Sequence, residues 1–222
     1  MEDSLLRYIA VALYLLVVSL HLFACASRNR LMLRRITKCC LMPLLLLCYL
    51  SFTGEVSLLV VAAILSGFVG DVFLLFRPRR WSFPAGILSF AAGHVFYIIR
   101  FLGELTVSPA WYLCVALGLI SVFSAVTLLR YLWKGLPKKL RPPSFLYMLI
   151  IASMASSAIL FAFYGALPLR WLAAVGGLLF VASDSTLSID AFHHPVRYRN
   201  VIVMSTYIAA QTLIVSSLTF AG

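Results

Sequence analysis

Apolar residues in this chain run in long stretches broken by short clusters of Lys, Arg and Pro. A helix rising 1.5 Å per residue needs about 20 mostly apolar residues to cross the hydrocarbon of a bilayer. Cutting at the charged and Pro-rich breaks gives eight spans, near residues 5–26, 38–53, 56–76, 83–102, 110–132, 144–164, 170–190 and 200–220. The second is the shortest. No stretch outside them is long enough for a soluble domain. The pattern therefore predicts an all-α integral membrane protein, a single eight-span transmembrane domain over residues 1–222, with its chemistry inside the bilayer or at its surface.

Composition supports this reading, since 63% of the 222 residues are hydrophobic and 11% charged, against roughly 25% charged in soluble domains. The net charge of +11 invites a nucleic-acid reading, but the cations sit in short runs between apolar stretches, as they do in cytoplasmic membrane loops. The first loop holds Arg28, Arg30, Arg34, Arg35 and Lys38, and the third Arg77, Arg79 and Arg80. The fifth holds Arg130, Lys134, Lys138, Lys139 and Arg141, and the seventh Arg197 and Arg199. Fifteen cations thus fall on one side, against Arg7, Arg100 and Arg170 on the other. The positive-inside rule places the odd loops in the cytoplasm and both termini outside. Trp81, Trp111, Trp133 and Trp171 fall at predicted span ends, where interfacial aromatics belong.

The first span ends in Leu22-Phe23-Ala24-Cys25-Ala26, which has the small residues of a cleavage site. However, Glu2 and Asp3 oppose a positive leader, the run from Leu5 is long enough to span, and Phe23 is bulky for a lipoprotein signal. The expectation is a retained transmembrane helix. Cys25, Cys39, Cys40, Cys48 and Cys114 lie in or beside apolar runs without metal or redox spacing and read as small buried hydrophobes.

Polar residues inside the spans carry more information. Residues 64–76 read ILSGFVGDVFLLF, with Asp71 alone among apolar neighbours. An ionised Asp at that depth costs about 2.5–3.5 kcal/mol on insertion scales, so such groups usually mark sites or pathways. Counted from the third loop, Asp71 lies about 9 Å in and His94 about 15 Å; above the seventh loop, Asp184 lies at a depth similar to Asp71, Tyr207 at about 10 Å and Gln211 at about 16 Å. Four helices thus present polar groups at similar depth, as a cavity opening toward the cytoplasmic leaflet requires. His94 and Tyr97 are three residues apart and Tyr207 and Gln211 four, so each pair shares a helix face. Gly67 and Gly70 beside Asp71 permit close approach of a helix or a lipid chain. His21 reads equally as interhelical packing and as function, Asp190 lies near the interface, and His193 and His194 read as loop residues.

The two halves of the chain echo each other. Gly70-Asp71-Val72-Phe73-Leu74 is followed one span later by Phe90-Ala91-Ala92-Gly93-His94, and Ser183-Asp184-Ser185-Thr186-Leu187 by Tyr207-Ile208-Ala209-Ala210-Gln211. This pairing predicts two parallel four-helix repeats with Asp71 and Asp184 in equivalent places.

Several classes are excluded or weakened. There is no GxSxG elbow, and Ser153, Ser156 and Ser157 have no adjacent His, which argues against a serine lipase. No Walker loop, dinucleotide fingerprint or HExxH pair is present, so no metal is expected. Two classes remain: acid/base chemistry on a lipid, or a proton-coupled transporter or lipid-binding membrane protein using the same aspartates. The outer halves of the spans carry few ionisable groups, which favours the enzyme.

The motifs also carry a resemblance. Lys38 with Pro43, GDVFL at 70–74, GHVFY at 93–97, SDSTLSIDAF at 183–192 and MSTYIAAQTLI at 204–214 cover essentially the whole chain in order. With these the sequence resembles the lysoplasmalogenase family, YhhN-like multi-pass membrane proteins of bacteria and animals; Asp190 resembles an aspartate of the animal branch. The resemblance implies eight spans, no organic cofactor, and hydrolysis of the vinyl ether of lysoplasmalogens (1-alkenyl glycerophosphoethanolamine or glycerophosphocholine) to a fatty aldehyde and the glycerophospho head group. The implied partners are a lysophospholipid, water and membrane lipids, with no nucleic acid and with a homodimer left open. The implied setting is a bacterial cytoplasmic membrane or the endoplasmic reticulum.

A vinyl ether reacts when an acid protonates its outer carbon, after which water adds to the oxocarbenium ion and the hemiacetal collapses. One carboxyl must start protonated, a form that apolar surroundings favour, and a second, ionised one can stabilise the cation and accept a proton from water. Asp71 and Asp184 are the expected pair, either one able to be the acid, with His94 orienting water or tuning a carboxylate. Tyr97, Tyr207 and Gln211 are expected to position the ether oxygen or water, and Lys38 and the arginines of residues 77–80 to hold the phosphate. Asp190 is placed with the substrate-binding residues.

Overall fold

A computed structural model of the chain describes residues 2–27, 29–75 and 82–219. They form eight α-helices: α1 (Glu2–Ala26), α2 (Leu31–Phe52), α3 (Leu58–Leu75), α4 (Ser82–Gly103), α5 (Trp111–Leu132), α6 (Arg141–Tyr164), α7 (Trp171–Phe192) and α8 (Arg199–Thr219). A short 3-10 turn, Lys138–Leu140, leads into α6, whose first turn is set by Pro142 and Pro143. Among the described residues the only strand-like pairing is an isolated bridge between Leu105 and Gly165. This is the all-α membrane fold that the hydrophobic pattern predicts.

Among the described residues, seven helical segments are long and apolar enough to cross a membrane. The one outside that set is α2, which carries Arg34, Arg35 and Lys38 in its first half. It is also where the expected boundaries need correction. The second span was expected from residue 38, yet α2 begins at Leu31, and at 22 residues it is longer than the 18-residue α3. Cutting at charges finds the edge of the hydrocarbon, whereas Arg and Lys are good helix formers and continue the helix beyond it. Pro43 sits inside α2 and removes one backbone donor there. Trp111 and Trp171 open α5 and α7, and Trp133 directly follows α5. Arg28, Arg77, Arg79, Arg80 and Trp81 lie outside the described residues.

The chain packs as two compact units, Met1–Tyr97 with Leu218–Gly222, and Ile98–Ser217. In the first, α2 lies against both α1 and α3. Leu41, Met42, Leu45, Tyr49, Val60 and Ile64 are buried there, and the Tyr49 hydroxyl accepts the Ser57 N–H at 2.9 Å. Small residues bring α4 onto α3: a Cβ on Gly70 would stand 2.8 Å from the Phe90 ring, and one on Gly93 would stand 3.1 Å from the Ala63 carbonyl oxygen.

In the second unit α6 lies against α5 and α7. A Cβ on Gly177 would stand 3.0 Å from the Ala155 Cα, and one on Gly176 2.9 Å from the Ala210 carbonyl oxygen, so α7 is drawn tightly onto both α6 and α8. Phe101 stacks on Phe161 with centroids 5.4 Å apart. The other face of α5 leaves Trp111, Leu119 and Phe123 exposed, a surface that hydrocarbon suits. Such close contacts of small residues are how helices associate where lipid removes the hydrophobic drive.

Candidate functional site

In the first unit, α3 carries Asp71 on a face made narrow by Gly67 and Gly70, and only 2% of the residue is exposed. The Lys38 Nζ of α2 lies 3.0 Å from Asp71 Oδ1, with 15% of the lysine side chain exposed. A partly buried ammonium stands beside a buried carboxylate. The preceding residue, Thr37, fixes α1 to α2 at the same level. Its hydroxyl donates to the Leu33 carbonyl at 2.7 Å, so it accepts from His21 Nδ1 at 2.8 Å. That assignment leaves His21 Nε2 as the acceptor facing Cys25 Sγ at 3.5 Å. His21 of α1 is thus tied to Thr37 of α2.

His94 and Tyr97 lie one turn apart on α4 and are both buried, His94 at 2% exposure. His94 follows Gly93, the point where α4 touches α3, and Phe90 presses on Gly70, the neighbour of Asp71.

In the second unit, Asp184 of α7 accepts a hydrogen bond at Oδ2 from the Tyr147 hydroxyl of α6. Both border a cavity of about 60 Å³ formed by α5, α6 and α7. Ser124, Ser185 and Ser188 add hydroxyls to its lining, and the remainder, including Met148, Ile151 and Val181, is apolar. The neighbouring Ser183 donates to the Val203 carbonyl of α8 at 3.1 Å. Tyr207 is buried edge-on against Phe180 at 5.4 Å, and Gln211 is buried one turn along α8. Because α7 runs to Phe192, Asp184 lies eight residues from its end, about 12 Å along the helix axis.

Asp190 occupies a different setting. Its Oδ1 accepts the Val196 N–H at 3.1 Å, and its Oδ2 lies 3.1 Å from Arg199 Nε. These bonds close the α7–α8 turn, in which Tyr198 adopts a left-handed backbone at φ 59.

The structure therefore brings Lys38 to Asp71 and Asp190 to Val196 and Arg199. In each unit a side chain near the start of the second helix holds the aspartate of the third: Lys38 is the eighth residue of α2 and Tyr147 the seventh of α6. Tyr147 is the residue that sequence reasoning missed. A lone tyrosine near a span end reads as part of the interfacial belt, and only the tertiary contact distinguishes it. Among the described residues no group of three or more His, Cys, Asp or Glu is placed to hold a metal ion, and all five cysteines are free thiols.

Comparison with known proteins decides the family. Residues 33–218 match the YhhN family. The chain belongs to the YhhN family. Related proteins include lysoplasmalogenase TMEM86A of Bos taurus, 32% identical over 152 residues that make up 67% of this chain and 60% of that protein. Lysoplasmalogenase TMEM86B of Sus scrofa is 30% identical over 161 residues, 72% of this chain and 63% of its own length. Lysoplasmalogenase TMEM86A of Homo sapiens is 30% identical over 152 residues, 67% and 60% of the two chains. The chain thus spans less than two thirds of the length of these curated relatives. No solved structure matches it. The family match begins inside α2 and reaches α8, so it includes Lys38, Asp71, His94, Tyr147, Asp184 and Gln211 but begins after His21.

Proposed function

We propose that this YhhN-family protein hydrolyses the vinyl ether bond of lysoplasmalogens, with Asp71 as the ionised carboxylate and Asp184 as the acid. The observation that carries the reading is the Lys38–Asp71 pair, an ammonium 3.0 Å from a carboxylate inside an apolar helix pair. Such a pair favours the ionised form of the carboxylate where hydrocarbon opposes a lone charge, and an ionised carboxylate is what a base near an oxocarbenium ion needs. The names of the relatives support the substrate class.

In this reading Asp184 gives a proton to the outer vinyl carbon, and the positive charge spreads over the inner carbon and the ether oxygen. Water adds to the inner carbon, losing its proton to Asp71. The hemiacetal then collapses to the aldehyde and the glycerol hydroxyl, so one water is consumed per ether cleaved. His94, Tyr97, Tyr207 and Gln211 are assigned to orienting water and the ether oxygen. Lys38 is assigned to charge balance, and Arg34, one turn earlier on the same face of α2, to the lipid phosphate. Asp190 is assigned to the turn it braces. The cation asymmetry of the loops supports a topology with both termini outside and the site toward the cytoplasmic leaflet.

The test is aldehyde release from a lysoplasmalogen by the purified full chain, compared with Asp71→Asn and Asp184→Asn. General acid/base groups are worth about 10²–10⁴ in rate, so each variant is expected to lose at least about 100-fold. Wild-type rates in both variants refute the mechanism, and an inactive wild type refutes the substrate.

A further inference from the structure

Tyr147 has a place that packing alone does not demand. Helices α6 and α7 already meet through Gly177 against Ala155, with a Cβ at Gly177 coming 3.0 Å from the Ala155 Cα. That contact brings the two backbones together whether or not a hydroxyl is present at residue 147. Yet the Tyr147 hydroxyl donates to Asp184 Oδ2, at the edge of a cavity of about 60 Å³ that both residues line. A cavity of that size, mostly apolar but with a carboxyl and four hydroxyls in its lining, has room for water or a small part of a substrate.

The direction of this bond has a chemical consequence. A carboxyl that delivers a proton carries it on one oxygen while the other stays an acceptor. With the phenol O–H donating to Oδ2, the proton of a protonated Asp184 belongs on Oδ1. When the proton leaves, negative charge develops on the carboxylate, and the phenol donor is already aligned on it. Hydrogen bonds to an ionised acceptor are roughly twice as strong as neutral ones. The bond therefore tightens as the reaction proceeds, and an interaction stronger in the transition state than in the ground state raises the rate.

We propose that Tyr147 is a positioning residue for Asp184, fixing which carboxyl oxygen carries the proton and stabilising the carboxylate as the proton departs. This rests on the hydrolase reading with Asp184 as the acid. Asp184 is the group that meets the substrate, and Tyr147 acts through it.

The experiment compares wild type, Tyr147→Phe, Tyr147→Leu and Asp184→Asn as purified full chains, reading kcat and KM for aldehyde release from a lysoplasmalogen together with Tm. Tyr147→Phe keeps the ring and loses only the hydroxyl. The expected result is a kcat lower by about 10- to 100-fold, with KM within about twofold and Tm close to wild type. Tyr147→Leu is expected to match Tyr147→Phe in kcat and to lower Tm further, because it also loses the ring. A Tyr147→Phe enzyme with wild-type kcat, beside a slow Tyr147→Leu enzyme, makes the residue a packing element and overturns the proposal. So does a Tyr147→Phe loss that appears in KM, or that follows a fallen Tm. An active wild type with full activity in Asp184→Asn removes the acid role of Asp184 and the Tyr147 role with it, leaving the substrate assignment intact. A wild type that releases no aldehyde overturns the hydrolase reading and this inference together.

Discussion

Replacing Lys38 by Met keeps most of the side-chain volume of α2 and removes the ammonium 3.0 Å from Asp71 Oδ1. Breaking one side of a buried ion pair typically costs about 3–5 kcal/mol. Part of that cost is offset when Asp71 takes up a proton, and acid makes that easier. Lys38→Met is therefore expected to lose about 3–5 kcal/mol at pH 7 and less at pH 5. The sign follows from protonation: acid supplies the proton that replaces the lost cation, so the deficit shrinks as pH falls. For a chain of this size, with a Tm shift of about 2–4 °C per kcal/mol, this is about 6–20 °C at pH 7 and a smaller shift at pH 5. Thermal unfolding in one detergent at both pH values reads the difference, and the double variant Lys38→Met/Asp71→Asn completes the set. The double variant carries no uncompensated charge but keeps a buried amide, so it is expected to recover part of the stability and none of the aldehyde-releasing activity. A Lys38→Met deficit that is absent, or equal at the two pH values, refutes the view that this ammonium balances an ionised Asp71.

Other expectations follow from contacts outside that pair. Thr37→Val removes the acceptor of His21 Nδ1 and leaves a buried donor unmatched, so a loss of about 1–3 kcal/mol is expected, read as a lower Tm with kcat per folded molecule retained. At Gly135, where an added Cβ would lie 1.6 Å from the Phe192 carbonyl oxygen, Ala forces the α5–α6 turn away from the end of α7; about 1–3 kcal/mol of destabilisation is expected, again measured as Tm. Asp190→Asn tests whether that residue meets the substrate: with its partner Arg199 partly exposed, the change is expected to cost at most about 1 kcal/mol and to leave KM unchanged, and a large rise in KM would return Asp190 to the binding residues.

The hydrophobic period determined much by itself. The end of α1, both ends of α5 and the packing-independent facts of helix number and type follow from runs of apolar residues between charged breaks, because a chain in hydrocarbon has to satisfy its backbone within each helix. The intramembrane aspartates were legible for the same reason: a carboxylate among residues 64–76 is costly wherever the helix packs. The start of α2 was not legible, since charge marks where the membrane ends rather than where a helix does. Nor were the partners of the aspartates. Lys38 reads from sequence as a loop cation and Tyr147 as an interfacial aromatic, and each meets its carboxylate only through the packing of a neighbouring helix, 33 and 37 residues away in the chain. Side-chain pairing of that kind depends on the rotation and approach of two helices, which small residues such as Gly177 set and no periodicity along one helix encodes. The sequence thus determined which costly groups lie in the bilayer, and the tertiary structure decided what each of them is bonded to.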